Sequence, residues 1–216
     1  IDYFRDFIEL RRQQPKEDLI SCLIALRAEG DRLTEVEMHS MCVQLFVAGH
    51  ETTMNLIGNG LLALLKHRED LERLRADPEL MPSAVEEFLR YDSPVQRTGR
   101  LAREDFEIRG RQIRKGDSVM LMFGAANRDP EKFVEPDRFD LGRNPNNHLA
   151  FGWGPHFCIG APLARLEAKI AFRTILRRLP EFHLAGKALR WRRSMAMRGL
   201  ESLPAELLQV RSADAS

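Results

Sequence analysis

Phe151-Gly-Trp-Gly-Pro-His-Phe-Cys-Ile-Gly160 is the stretch on which the reading of this chain turns. One thiol, Cys158, sits in a loop rich in glycine and proline. Ala161-Pro-Leu-Ala-Arg-Leu-Glu-Ala-Lys-Ile170 follows directly and reads as a helix with Pro162 in its first turn. A sulfur just before a helix N-terminus feels the positive end of the helix dipole and nearby backbone N–H groups, which favours the thiolate. Gly154 and Gly160 allow a tight turn and the close approach of a flat ligand. The chemistry implied is a thiolate ligand to a metal or haem iron, or a nucleophile. A buried cysteine in a tight turn is the plainer alternative.

The chain has 216 residues, 44% of them hydrophobic, which is ample for a core. Its 33 basic and 32 acidic residues balance, so no bulk field points to nucleic acid or a membrane surface. Cys22, Cys42 and Cys158 form neither a paired framework nor a CxxC motif. Free thiols fit a reducing, cytoplasmic setting. No signal peptide is visible. The sequence opens on Ile1, mid-pattern, and reads as a piece of a longer protein.

Upstream of the cysteine the pattern is mostly helical. Residues 1–12 read as a helix stopped near Pro15. Residues 17–28 read as an amphipathic helix ending at Gly30, with Cys22 a small buried hydrophobe. Thr34-Glu-Val-Glu37 is a capping box that opens a helix from Thr34 to Lys66, roughly 50 Å long at 1.5 Å per residue. From Met38 to Leu65 its only formally charged side chain is Glu51, which predicts a buried helix. Gln44, Asn55 and Asn59 and a central acid favour a core helix over a membrane span. A lone carboxylate there is costly unless paired or functional. Glu51 stands in Ala48-Gly-His-Glu-Thr-Thr53, beside the titratable or hydroxyl side chains that proton transfer uses. A satisfied polar cluster at a kink is the competing reading. His50 and Cys42 read as packed helix residues, not ligands.

Arg68–Ala76 and Met81–Tyr91 read as two further helices, the second with Pro82 in its first turn. Glu87 and Arg90 meet on one face of it at i, i+3. Ser93–Arg100 leaves in extended form. Residues from Phe106 to Met122 read as a small antiparallel sheet turning at Gly110 and Gly116. Ala125–Pro130 is a short helix or turn. The irregular run after it, as far as Cys158, is long for a compact domain and reads as functional. After Cys158, Leu163, Leu166, Ile170 and Leu179 repeat on one side of a helix. Arg165, Lys169, Arg173 and Arg177 make a basic stripe, either a solvated face or a docking stripe for an acidic protein. Residues 182–184, 189–193 and 207–210 read as short strands, with a turn over 194–198 and a polar tail after Arg211.

Phe151, Gly154, Cys158 and Gly160 together form the pattern Phe-x-x-Gly-x-x-x-Cys-x-Gly, which resembles the haem-binding loop of the cytochrome P-450 family. Ala48–Thr53 resembles that family's central-helix signature, Glu87/Arg90 its Glu-x-x-Arg motif, and Glu135-Pro-Asp-Arg-Phe139 its later arginine loop. Four motifs in the family's order cover this chain end to end, but only the C-terminal half of the family. The resemblance implies a mainly α fold with small antiparallel β-sheets (α+β), the C-terminal part of the P-450 fold, in one haem-binding domain over residues 1–216.

It further implies a haem-thiolate monooxygenase that inserts one oxygen atom of O2 into a small organic substrate. Cys158 would be the iron's thiolate ligand in haem b, pushing electron density onto the metal. Phe151, Gly152, Gly160 and Gly49 would line the cofactor. Arg100, or Arg97 in competition, would pair with one propionate, and His156 with the other. Glu51 would relay protons and Thr52 would hydrogen-bond the oxygen being activated. Val47, Val95 and Gln96 would touch substrate, as would the turn at 194–198. Glu87, Arg90 and Arg138 would support the haem loop. Electrons would come from NAD(P)H through a ferredoxin or similar donor, to a monomer of bacterial type with no membrane or nucleic-acid partner. A haem-binding module without turnover is the alternative. A cysteine–histidine hydrolase using Cys158 and His156 is disfavoured by their spacing, and zinc by the shortage of ligands.

Overall fold

The capping box at Thr34 forms as its spacing predicts. Glu37 N–H donates to Thr34 Oγ1 at 3.2 Å, and Thr34 N–H donates to Glu37 Oε2 at 2.8 Å. Two backbone donors that a helix start leaves unpaired are thus satisfied. The bond from the Thr34 backbone is also the first reason that the Glu37 carboxyl lies below its ordinary range. Helix α3 (Glu35–Lys66) follows.

The computed structural model describes residues 2–28, 33–186 and 188–209. It divides into two compact units, Ile1–Glu51 and Thr52–Ser216. The sequence suggests one haem-binding domain over the same range, so each unit is described by itself.

The first unit holds α1 (Asp2–Gln13), α2 (Leu19–Ala28) and the start of α3. Ile8, Leu23, Met38 and Cys42 form its core, with Phe4, Ile20, Ile24 and Leu33 packed around them. Cys42 is core, as its place on the helix suggests, and burial pushes its thiol up. Arg12 donates to both oxygens of Glu35 at 2.6 Å, joining α1 to α3. Cys22 departs from expectation and is exposed. Its helix is apolar on nearly every side, and Leu23 takes the inward position. The expected end at Gly30 lies outside the described residues.

The second unit begins at Thr52, within α3. It adds α4 (Arg68–Ala76), α5 (Met81–Tyr91), the short α6 (Phe123–Ala126) and α7 (Ala161–Arg178). Leu64, Leu71, Val85, Phe88, Phe139 and Phe172 lie at the centre of its core. Three two-stranded antiparallel sheets flank the helices. β1 (Thr98–Leu101) pairs with β4 (Ser118–Leu121), β2 (Phe106–Ile108) with β3 (Arg111–Ile113), and β5 (Glu181–Leu184) with β6 (Ala205–Gln209). The single sheet expected over 106–122 is therefore two. Its last strand turns back to β1, whose Thr98 sits opposite Leu121. Arg109 (φ 48°) and Gly110 (φ 76°) both adopt the left-handed conformation that a two-residue hairpin turn requires. Residues 189–193 make only an isolated bridge, Trp191 to Leu200, in place of the expected strand.

Two apolar patterns bury differently from expectation. α3 is buried at Asn55, Leu56 and Leu62–Leu65, but Phe46 and Val47 are 62% and 56% exposed. Burial needs a facing surface as well as an apolar stripe. One such surface is where Gly60 meets Phe88 of α5 and Phe172 of α7. On α7 the buried residues are Ala161, Ala168, Phe172 and Leu176, whereas Leu163, Leu166 and Ile170 are exposed. The helix carries two apolar stripes, and the larger aromatic sets the one that packs.

A Cβ on Gly60 would come within 2.6 Å of the Phe172 ring and 3.0 Å of Phe88, while one on Gly58 would meet nothing within 4 Å. Gly60→Ala is expected to destabilise the protein by about 1–3 kcal/mol through overpacking. Gly58→Ala is expected to stabilise it by up to about 1 kcal/mol through helix propensity. Urea unfolding of the two variants checks the opposite signs.

Candidate functional site

The geometry is built around α5. Glu87 and Arg90, one turn apart, are 0% and 1% exposed. Arg90 Nε and Nη2 each donate to the Glu87 carboxylate at 2.8 Å. Its remaining N–H groups reach the carbonyls of Asn127 (2.9 Å), Pro136 (2.7 Å) and Arg138 (3.1 Å). Every donor of a buried guanidinium is thereby used.

Glu87 also accepts from Asp140 N–H at 2.9 Å and Asn146 Nδ2 at 3.2 Å. The second arginine on Glu87 is Arg143, not Arg138. Arg143 Nε lies 3.3 Å from Glu87 Oε2, and its side chain is only 9% exposed. Arg138 turns its side chain, 62% exposed, to Glu135, whose hydrogen bond is the main reason its pKa is raised. It contributes its carbonyl to the cluster instead. The sequence offers both arginines at suitable distances, and only the path of the chain decides between them.

Asn127, wholly buried, carries this order to the cysteine loop. Its carbonyl accepts from Arg90, its Nδ2 donates to Ser93 Oγ at 2.8 Å, and its Oδ1 accepts from Leu149 N–H at 2.7 Å. Within the loop, Gly152 N–H donates to Leu149 O and Cys158 N–H to Phe151 O, both at 2.9 Å. Gly152 (φ 73°) and Gly154 (φ 70°) need the left-handed region that glycine permits. Cys158 lies three residues before α7 and is exposed. His156 is exposed in the short turn before it.

A second ion pair flanks the loop. Arg165 on α7 donates from Nε and Nη2 to Glu86 at 2.7 and 2.8 Å. His148 Nε2 is 3.1 Å from Glu86 Oε2. Burial opposes the ionisation of Glu86, but the bonds from His148 and Arg165 outweigh it and hold the carboxyl down to about 2. Sequence reasoning passed over Glu86, Asn127, Arg143 and His148. It placed Arg165 on a basic surface stripe, from which this pairing removes it. Arg173 and Arg177 are exposed.

The residues around Cys158 fit a haem. Among the described residues no group of three or more His, Cys, Asp or Glu side chains could hold a metal ion. A single thiolate suits an iron whose remaining ligands a porphyrin would supply. Gly160 lies close by, where a Cβ would stand 3.8 Å from Cys158 Sγ, at contact distance. Phe157 and Ile159, on either side, are large, apolar and exposed.

The other expected site residues are more scattered. Val47, Gly49 and Glu51 lie in the first unit, whereas Thr52 opens the second. All four lie within α3. Glu51 and Thr52 are half-buried. His50 is exposed and stacks on Phe46, with ring centroids 6.1 Å apart. Arg97 donates to Met195 O, and Arg100 to Gly99 O and Thr98 Oγ1. Val95 bridges to Met197, and Gln96 N–H donates to Ala196 O, so the 194–198 turn does lie along this segment. Gln96 spends its amide on Ser93 O at 2.7 Å. It lines a polar cavity of about 330 Å³ with Asn59, Lys66, Asp92, Trp191 and Arg198, which does not include Cys158.

Arg143→Ala removes a charged partner from a buried carboxylate and is expected to cost about 1.5–3 kcal/mol. Arg138→Ala removes an exposed pair and is expected to cost less than about 0.5 kcal/mol. Chemical denaturation of the two variants tests the assignment. The depressed Glu86 carboxyl stabilises the fold fully above its ordinary value of 4.5, and the contribution is lost as pH falls towards about 2. Acid titration of Glu86→Gln is therefore expected to lack that part of the parent's stability loss.

A family model for cytochrome P450 matches residues 2–186. The chain is 52% identical over 202 residues to the biotin biosynthesis cytochrome P450 of Bacillus subtilis (strain 168), covering 94% of this chain and 51% of that protein. It is 48% identical to the polyketide biosynthesis cytochrome P450 PksS of the same organism, with 95% and 52% covered. Among solved structures, P450BioI in complex with acyl carrier protein ligated to hexadec-9Z-enoic acid superposes with a TM-score of 0.90 at 50% identity, over 95% of this chain and 53% of that one. Tirandamycin C-bound TamI gives 0.92 at 46%, over 95% and 52%. The chain spans about half the length of the curated relatives it matches. Its helices and small sheets are thus part of a P450 fold, and the chain belongs to the cytochrome P450 family.

Proposed function

We propose that this chain supplies the haem-thiolate half of a monooxygenase that inserts one atom of O2 into a small organic substrate. The observation that carries the reading is the exposed Cys158 in a glycine-rich loop just before α7. When bound, haem supplies an iron that binds O2 and accepts electrons one at a time.

The chain's own residues have distinct tasks. Cys158 donates negative charge to the iron. Phe151, Gly152, Gly160 and Gly49 border the cofactor, and Arg100 and His156 bind its carboxylates. Glu51 carries protons, and the Thr52 hydroxyl donates and accepts hydrogen bonds beside it. Val47, Val95 and Gln96 face substrate. Glu87, Arg90 and Arg143 hold the loop that carries Cys158. Relatives named for biotin and polyketide biosynthesis and for 6-deoxyerythronolide B hydroxylation support an organic substrate. NAD(P)H would feed electrons through a ferredoxin-like donor. The half-length match favours a second reading, haem binding without turnover by this chain alone.

The test is an optical spectrum of the haem-loaded, reduced chain under carbon monoxide. The parent is expected to show the long-wavelength Soret band of thiolate ligation, and Cys158→Ala to lack it. A parent that binds no haem, or shows only a neutral-ligand band, would overturn the ligand assignment. With the band present, substrate-dependent NADPH consumption in the presence of a reductase and ferredoxin separates turnover from haem binding alone.

A further inference from the structure

The polar cavity beside α3, about 330 Å³, is lined by no residue of the cysteine loop, and its charges do not balance. Asn59 and Lys66 reach it from one face of α3, two turns apart. Burial pushes the carboxyl of Asp92 up, and Arg198, Arg128 and Lys66 act against the rise. Three cations thus converge on one acid. Arg198 donates from Nε to Asp92, and Arg128 donates to the exposed Asp137 at 2.7 Å. Lys66 is exposed and has no hydrogen-bond or ion-pair partner among the described residues. One positive charge is left over.

Two further groups are unspent. The Arg198 guanidinium lies over the Trp191 ring, 3.8 Å from its centroid, and its Nη groups have no partner among the described residues. A planar fork held against an aromatic face suits a carboxylate. Asn59, 1% exposed, gives its Nδ2 to Asp92 O at 3.1 Å and to Arg198 O at 3.0 Å. Those two carbonyls fix which end of the amide is nitrogen. Its Oδ1 is therefore a buried acceptor, and no group among the described residues meets it. An acceptor left in this state costs free energy that a donor inside the cavity would recover.

We propose that this cavity binds a small hydroxycarboxylate, its carboxylate held by Lys66 and the Arg198 Nη groups and its hydroxyl donating to Asn59 Oδ1. One uncompensated cation matches a monoanion better than a phosphate dianion. An ammonium donor would add positive charge where it is already in excess, so the donor is a hydroxyl. An occupant would join α3 to the turn that ends at Arg198 and runs along Val95 and Gln96. Cys158 does not line the cavity, so binding needs no haem.

The test is calorimetric titration of the chain with glycerate, propionate, glycerol and inorganic phosphate. Glycerate is expected to bind saturably, and severalfold more tightly than propionate, which lacks the donor, or glycerol, which lacks the charge. Lys66→Met is expected to weaken glycerate binding severalfold, and Lys66→Arg, which keeps the charge, to stay near the parent. Lys66 is exposed, so neither substitution threatens the fold. No saturable binding, equal binding of glycerate and propionate, tighter binding of phosphate, or binding that Lys66→Met leaves unchanged would each overturn the proposal.

Discussion

The buried pair of Glu87 and Arg90 is the constraint on which the second unit depends. Two charges in an apolar core are tolerable only when nearly every donor and acceptor is matched. Here the matching groups come from far along the chain. Asn127, Pro136 and Arg138 give carbonyls, and Asp140, Arg143 and Asn146 give N–H groups. A run with almost no regular secondary structure thus has its course fixed by the demands of one guanidinium and one carboxylate. A pair of this kind adds less to net stability than it does to uniqueness, because a displaced loop would leave a buried charge without partners.

The consequence reaches Cys158 through Asn127. That one residue answers Arg90 with its backbone carbonyl, Ser93 with its side-chain N–H and Leu149 with its side-chain oxygen. Leu149 begins the turn, its carbonyl accepting from Gly152 N–H, and the Phe151 carbonyl within it accepts from Cys158 N–H. The sulfur therefore hangs from a chain of hydrogen bonds that starts in the core. The loop's tight path depends on glycine at 152 and 154, where side chains would strain the backbone.

Much of this was legible in the sequence, and what was not has a physical reason. Capping at Thr34, the start of α5 at Met81 and the Glu87/Arg90 spacing are local features, written in neighbouring residues and recovered by the structure. Which arginine joins Glu87 is not local. Arg138 and Arg143 differ only in where a long irregular run carries them, and no periodicity records that path. The same holds for α7. Its two apolar stripes are equally visible in sequence, but only the presence of Phe88 and Gly60 across the interface selects the one with Phe172. The exposed Phe46 and Val47 show the converse limit, since an apolar helix reports that it wants a partner and not whether this chain provides one.

Adjacent acids on α5 tie these threads together. Successive residues on an α-helix point about 100° apart. Glu86 and Glu87, though neighbours, therefore serve two different surfaces. Glu87 faces the run from Asn127 to Asn146 and is satisfied from within the core. Glu86 faces α7 and the entry to the cysteine loop, where Arg165 and His148 meet it. One short helix thus brackets the loop, fixing its approach with one carboxylate and its exit with the other. That division explains why the first acid pairs with Arg165 of α7, and the second with Arg90 and Arg143 in the core.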